Sequence, residues 1–346
     1  MRIIIFSLLS LLLASCSTIN FINIDVQKPA QVTLGSGIKD IVIVNNAVIQ
    51  PEDVGHWMNV SNELQPVTAS NDSSAIILVQ ALAQFIEEDG FFDSVTLYDT
   101  SLRTDTDFMT ETVLPSSFIK KIKEDTGADA VISLNRLILA STYDTKVRNK
   151  KIIPESLNVG INARLSVYQI DSIKEPRGII FADSIKWTGT WEGNHYSSDI
   201  PSYDKAFKHI IVRAADKIAK AVSPTWSRDE RWYYSNANTL MKQASVKVAA
   251  NQWKGAAITW GEIYENENNE NQKGKLASNI ALANEMLDDI ENALAWIDIA
   301  LDNFEKAGKK NDSENVKLAK RYKSKLKKRM EEFEKLDIQL GSSVIN

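Results

Sequence analysis

Three histidines, His56, His195 and His209, are the only imidazoles in the chain, and none stands in an HxxxH or HExxH spacing. A helical zinc site needs two ligands one turn apart, so a metal centre has no support. His209 falls on a helical stretch and reads as a surface or interface residue. No GxSxG, GxGxxG or phosphate-cradling glycine loop occurs, and Gly35-Ser36-Gly37 reads as a flexible lead into a strand. The acidic pairs Asp105 with Asp107 and Asp288 with Asp289 fall in a polar loop and a helix–helix turn. General acid–base work needs titratable groups converging on one pocket, and the spacing offers no such cluster. The expectation is a chain without catalysis, cofactor or metal. The catalytic alternative is an envelope hydrolase whose carboxylates converge from distant segments.

Aromatic residues offer a binding chemistry instead. Trp187 and Trp191 have the same parity on one predicted strand, so both project from the face that also carries Ile185. With His195 and Tyr196 in the polar loop beyond, they form a candidate contact set for a glycan or partner; the competing reading packs the stripe as core under the helix that begins at Tyr203. Charge gives a further candidate. The net charge is −5, which supplies no reason to expect nucleic acid. Residues 309–335 nevertheless carry 11 Lys/Arg against five Asp/Glu. Lys317, Lys320, Arg321, Lys323, Lys325, Lys327, Lys328 and Arg329 are either a solvated outer face or a contact for anionic headgroups.

Cys16 is the only cysteine. It follows Arg2, an apolar run over residues 3–13 and Leu13-Ala14-Ser15, the order of a basic region, a hydrophobic region and a small-residue cleavage site. About 20 apolar residues are needed to span a bilayer, so this run is too short to stay as a span. Leu-Ala-Ser-Cys resembles the lipobox cut by the lipoprotein signal peptidase, which implies removal of residues 1–15 and acylation of Cys16. Two or three acyl chains give stable membrane attachment at about 0.8 kcal/mol per buried CH₂. With that thiol modified, stability must come from packing rather than disulfides.

The elements that would position any site follow from periodicity. Residues 40–45 form a β-branched run typical of a strand buried on both faces; residues 74–88 show helical spacing closed by Gly90. A strand over 91–98, a helix over 115–125 closed by Gly127, and a long strand from Ala128 follow. Residues 157–167 and 179–191 alternate as a hairpin with one wet face, and a helix runs over 203–222 to Pro224. The order βαβαβββα predicts an α+β domain with a mixed sheet and covering helices. From Trp226 strand signals vanish and alanine-rich helices take over, Ala256 and Ala293 repeating at a period of 37. This resembles tetratricopeptide repeats, whose helix pairs need a cap. The expected cap is a helix from Asp312 with Leu318, Tyr322, Leu326, Met330, Phe333, Leu336 and Leu340 along one stripe. The expected boundaries are a signal over 1–15, a lipidated spacer over 16–30, the mixed-sheet domain over 31–225, the repeats over 226–311, and the basic helix and tail over 312–346.

The lipobox, the Ile41 strand, Gly127-Ala128-Asp129-Ala130-Val131-Ile132, the Trp187 to Trp191 stretch, Arg231-Trp232-Tyr233-Tyr234 and the helical repeats together resemble uncharacterised Bacteroidetes lipoproteins, a domain of unknown function followed by tetratricopeptide-like repeats. A more distant topological likeness is to the periplasmic domains of curli-secretion lipoproteins and lipoprotein activators of penicillin-binding proteins, carried by residues 125–132, 157–191 and 206–219. The resemblance implies binding rather than chemistry. Ser17-Thr18-Ile19-Asn20 lacks the acidic run of surface-export signals in that group, which implies the periplasmic side of the outer membrane. Asp93-Ser94-Val95, Asp171-Ser172-Ile173 and Asp183-Ser184-Ile185 resemble its O-glycosylation acceptors, Ser172 being the expected most accessible, then Ser94 and Ser184. Arg231-Trp232-Tyr233-Tyr234 reads as a staple between domains. The leading functional expectation is a non-catalytic envelope lipoprotein that serves protein–protein interaction or assembly, tethered to the membrane by its lipid; the alternative is a glycan- or peptidoglycan-binding lipoprotein.

Overall fold

A computed structural model of the chain describes residues 18–98, 103, 105–148, 151–171, 175–192, 195–236, 238–311 and 313–341. The expected signal, Cys16 and Ser172 lie outside the described residues. The fold is α+β, with a sheet-rich N-terminal region followed by a run of helices. It divides into two units, one holding residues 29–225 with the segment from 337, the other holding 18–28 with 226–336. No helix among the described residues is long and apolar enough to cross a membrane.

Strand β1 (Thr18–Lys28) corrects the expected spacer. Ile22, Ile24 and Val26 alternate with Asn23 and Asp25, the period of a half-buried strand, and β1 belongs to the second unit. The first unit begins with β2 (Asp40–Asn45), the hairpin β3 (His56–Val60) and β4 (Glu63–Pro66), and helix α1 (Ser74–Asp89). The hairpin escapes sequence reading. Its turn residues Ser61 and Asn62 take φ of 53° and 71°, a two-residue turn without the usual glycine, and β4 is exposed throughout. Then come β5 (Ser94–Tyr98), α2 (Ser116–Thr126), the long strands β6 (Ala130–Arg148) and β7 (Lys151–Gln169), β8 (Arg177–Thr188), the short pair β9 (Thr190–Glu192) and β10 (His195–Ser197), and α3 (Tyr203–Val222).

Because β6 is 19 residues long, two strands fit end to end along one of its edges. β2 pairs in parallel with residues 130–134 and β3 in parallel with 141–145, while β7 runs antiparallel along the other edge and β8 follows β7. The gap between β2 and β3 is filled by a side chain. Gln50 accepts from Leu139 N at 2.7 Å and donates to Leu139 O at 2.8 Å, so its amide replaces a strand residue there. A bulge at Asn135 shifts the register, and its buried amide is satisfied by Ser133 and Ser166. Before the bulge Ala130, Ile132 and Leu134 face the main core; after it Leu137 and Leu139 do. Asp144 and its alternate neighbours are thereby placed on the opposite face.

Helices α1 and α3 cover one face, with Leu78, Leu82, Ile86, Ile210 and Ile218 packed over Ile41, Ile43 and Ile132. Each such buried side chain contributes about 1.5–3 kcal/mol. On the other face α2 covers only the region of Val42, Val44, Val131 and Tyr168. β2 is therefore buried on both sides, the physical reason for its unbroken Ile-Val-Ile-Val.

In the second unit, β11 (Thr225–Ser235) overturns the expectation that strands end at Trp226. It pairs with β1, and contacts from Asn20 to Ser235 and from Ser227 to Val26 set the two strands in opposite directions. Helices α4 (Thr239–Ala249), α5 (Trp253–Asn266), α6 (Glu270–Glu285), α7 (Ile290–Lys306) and α8 (Glu314–Leu340) follow. α6 is central, buried continuously from Gly274 to Ala283, and Gly274 lies so close to the Phe304 ring that a Cβ would stand 2.5 Å from it. Asn279 on α6 accepts from Tyr234 N at 2.7 Å and donates to Tyr234 O at 2.8 Å, another amide standing in for a strand neighbour.

The Arg231 to Tyr234 segment packs inside this helical unit, where Trp232 and Tyr233 join the core. Arg231 meets Glu285 through Nη2 at 2.7 Å and Nε at 2.9 Å, with 2% and 1% of the two side chains exposed. Tyr322 donates to the same carboxylate at 2.7 Å. Burial works against the Arg231 charge, but the Glu285 carboxylate raises its pKa overall. Burial, and then the Glu285 charge, hold the Tyr322 phenol protonated well above its ordinary range.

Candidate functional site

Among the described residues, the first unit carries a crevice and a cleft that are each of ligand size. The crevice, of about 880 Å³, lies at the carboxyl ends of the parallel strands β2 and β5, bounded by residues 47–49 and Pro51, by α1, and by Arg103, Asp105 and Thr106. Crevices at strand carboxyl ends are where open α/β sheets bind ligands. Its floor is aliphatic: Ile43, Ala47, Val48 and Val79 line it, and Ile49, Ile76 and Leu97 are 55%, 49% and 39% exposed. Asn45, Gln80, Tyr98, Arg103, Asp105 and Thr106 supply polar groups.

One wall is knit by charge. Arg103 binds the Asp105 carboxylate and the carbonyls of Asp107 and Thr110, while Asp107 accepts from the Met109 and Thr110 amides. Hydrogen bonding from Arg103 to Asp105, and from Thr110 to Asp107, holds both carboxyls below the usual carboxylate range. Asp105 and Asp107 thus shape a loop.

The second concavity is a polar cleft of about 670 Å³ on the sheet face that α2 leaves open. Register aligns Asn59, Asp144, Ser156 and Thr188 across β3, β6, β7 and β8. Asn59 Nδ2 donates to Asp144 Oδ1 at 3.1 Å and Ser156 Oγ donates to Asp144 Oδ2 at 2.8 Å, which fixes the carboxylate from both sides. Lys146 lies 3.6 Å from Glu155 at the rim, and Lys186 and Tyr196 also line the cleft.

The four candidate contact residues are divided among three strands. Gly189 separates β8 from β9, so Trp187 and Trp191 stand on different strands rather than on one. Trp187 is half-buried against the α3 side, its ring 5.9 Å from that of the exposed His209. Trp191 pairs with Tyr196 across β9 and β10, and His195 opens β10 opposite Glu192. Tyr196 lines the polar cleft, its hydroxyl donating to the Pro154 carbonyl. A Cβ at Gly189 would collide with the Tyr196 ring, so that ring position requires glycine there. Sequence reading missed Asn59, Asp144 and Lys186, because only the bulge-shifted register of β6 brings them onto one face.

Ser184 is exposed on edge strand β8, its amide donating to the Asp183 carboxylate. Ser94 is exposed at the start of β5 and donates to Asp40 at 2.5 Å. On α8, Lys317, Lys320, Arg321, Lys327 and Lys328 are exposed, but Arg329 corrects the reading of one basic face. It is buried, its guanidinium 4.9 Å from the Phe333 ring centroid. Lys325 is half-buried and donates to Glu230 O at 2.9 Å, and Lys323 pairs with Asp298.

His56 sits between Ser141 Oγ at 2.9 Å and Asn71 Nδ2 at 3.1 Å, a set that has the residue types of nucleophile, base and orienter. With the amide donating to Nε2, the proton is on Nδ1 and faces the serine, the wrong tautomer for a base. All three residues are buried, and the cavity beside Asn71 is only about 10 Å³. Among the described residues, no three His, Cys, Asp or Glu side chains are grouped to hold a metal.

Comparison with known proteins matches residues 38–234 to a domain of unknown function (DUF8603) and residues 242–328 to a second domain of unknown function (DUF6340). No curated protein matches the chain. Among solved structures, it is similar to a DUF330 protein from Xanthomonas campestris (12% identity, 56% of this chain and 85% of that one, TM-score 0.27). It is also similar to a putative neuraminyllactose-binding hemagglutinin homolog from Helicobacter pylori (11%, 54% and 86%, TM-score 0.25) and to hypothetical protein CT253 from Chlamydia trachomatis (14%, 51% and 96%, TM-score 0.21).

Proposed function

The chain belongs to the DUF8603 family, and we propose that it is a non-catalytic lipoprotein of the cell envelope that holds a protein partner through the aliphatic crevice at the ends of β2 and β5. The observation that carries this reading is the set of exposed aliphatic side chains Ile49, Ile76 and Leu97 around one concavity. Apolar side chains left in water on a concave surface favour an apolar occupant, and each leucine-sized group buried there contributes about 1.5–3 kcal/mol. The groups near it do structural work: Arg103, Asp105 and Asp107 bind one another, and Tyr98 donates to Asp125 at 2.8 Å. The Leu-Ala-Ser-Cys sequence supports attachment by acylated Cys16, on the periplasmic side of the outer membrane, and the successive helices α4 to α7 support a tetratricopeptide-like unit with α8 as its cap.

A photo-crosslinking residue at Ile76, used in the native envelope, tests the reading. A single partner should be captured reproducibly, and Leu97→Asp should reduce its capture at least 10-fold while circular dichroism stays unchanged. Capture that is indifferent to Leu97→Asp, or no reproducible partner at all, would reject it.

A further inference from the structure

We infer that the polar cleft on the open sheet face binds a neutral saccharide unit, at a second site independent of the aliphatic crevice. Three observations lead there. The charges in the cleft balance: Lys146 and Lys186 stand against Asp144 and Glu155, and Lys146 is already paired with Glu155. Such a balance attracts neither a phosphate nor a polyanion, both of which need excess cationic charge.

The Asp144 carboxylate is held rigidly yet incompletely used. Each oxygen takes one bond, from Asn59 and from Ser156, whereas an ionised carboxylate accepts about four. Adjacent sugar hydroxyls, each both donor and acceptor, suit this pair of oxygens with the Lys186 ammonium as the complementary donor. Finally, Tyr196 supplies the one ring in the lining, fixed through its hydroxyl and fitted against a glycine that no other residue could replace without moving it. A ring beside hydrogen-bonding groups gives a pyranose an apolar contact together with polar ones. The volume of about 670 Å³ is ample for one or two sugar rings.

Saturation-transfer NMR on the full mature chain, with chitotriose and maltotriose as probes and an uncharged tripeptide as competitor, is the test. Transfer to the ring protons of at least one oligosaccharide is expected at millimolar concentration or below. Asp144→Asn and Lys186→Ala should each weaken binding at least fivefold. Lys186 is exposed on an edge strand, so Lys186→Ala keeps the test decisive even if Asp144→Asn disturbs the fold. Absence of transfer from both sugars, binding insensitive to Lys186→Ala, or displacement by the tripeptide would overturn the proposal.

Discussion

Removing the Glu285 carboxylate should be among the most damaging single changes in the helical unit. Arg231 would keep only Asp229 at 3.5 Å and the Glu230 carbonyl at 3.1 Å, with its guanidinium almost fully out of water. Breaking a buried ion pair from one side costs about 3–5 kcal/mol, mostly from the stranded charge. Tyr322 loses its acceptor as well, so Glu285→Leu belongs at the upper end of that range. Arg231→Met leaves the carboxylate with the Tyr322 hydroxyl and with Arg329 at 4.0 Å, and costs a similar amount. The triple change Arg231→Met, Glu285→Leu and Tyr322→Phe removes the ion pair and the phenol together and replaces them with apolar volume, while Arg329 loses Glu285 at 4.0 Å but keeps Asp288 at 3.9 Å, so the variant should return to within about 1–2 kcal/mol of the parent. Hydrogen exchange of α6 amides, read by mass spectrometry, measures this. At 1.4 kcal/mol per factor of 10, each single variant should lose about two to three and a half decades of protection, and the triple variant should recover most of it. Singles costing under about 1 kcal/mol, or a triple variant as weak as the sum of its parts, would refute the view that stranded charge dominates.

Two other outcomes follow from buried polar groups. Burial lowers the pKa of His56, so the folded state binds its proton less readily than the unfolded state, whose pKa is about 6.5. That stability is complete above about pH 6.5 and is lost as pH falls toward the folded pKa, by up to about 1.4 kcal/mol per pH unit. Urea midpoints of the first unit should decline across this window, and His56→Phe should start lower but remain flat. Asn279→Leu strands the buried Tyr234 N–H and C=O together, and should cost the helical unit about 2–6 kcal/mol in urea unfolding.

Periodicity made the α+β order legible wherever one element fills one hydrophobic pattern. α3 shows this over Tyr203–Val222, where Ala206, Phe207, Ile210, Ala214 and Ile218 fall on one buried side. Glycines with positive φ close α1 and α2, at Gly90 and Gly127. Reading failed where local pattern and tertiary role part company. β4 has no buried position, and β11 passes from alternation into the buried run Arg231 to Tyr234 because helices cover both its faces there. Amide side chains that complete a strand edge, Gln50 and Asn279, look like ordinary polar residues until their partners are known. The candidate sites were less legible still. Tyr196 stood out as an aromatic in a polar loop, but Asp144 acquires its position from a bulge nine residues away, and the crevice is assembled from two strand ends and a helix face that no spacing connects.

The pairing of β1 with β11 sets the order in which the molecule can be completed. β1 is synthesised first, yet its partner emerges about 200 residues later, after residues 29–225 of the first unit. Closing so large a loop is slow, because its entropy is spent before any contact repays it. Ile22, Ile24 and Val26 therefore wait as an unpaired apolar edge, open to wrong pairing until β11 arrives. Deleting residues 18–28 to make a convenient soluble form would damage the helical unit at the other end of the chain.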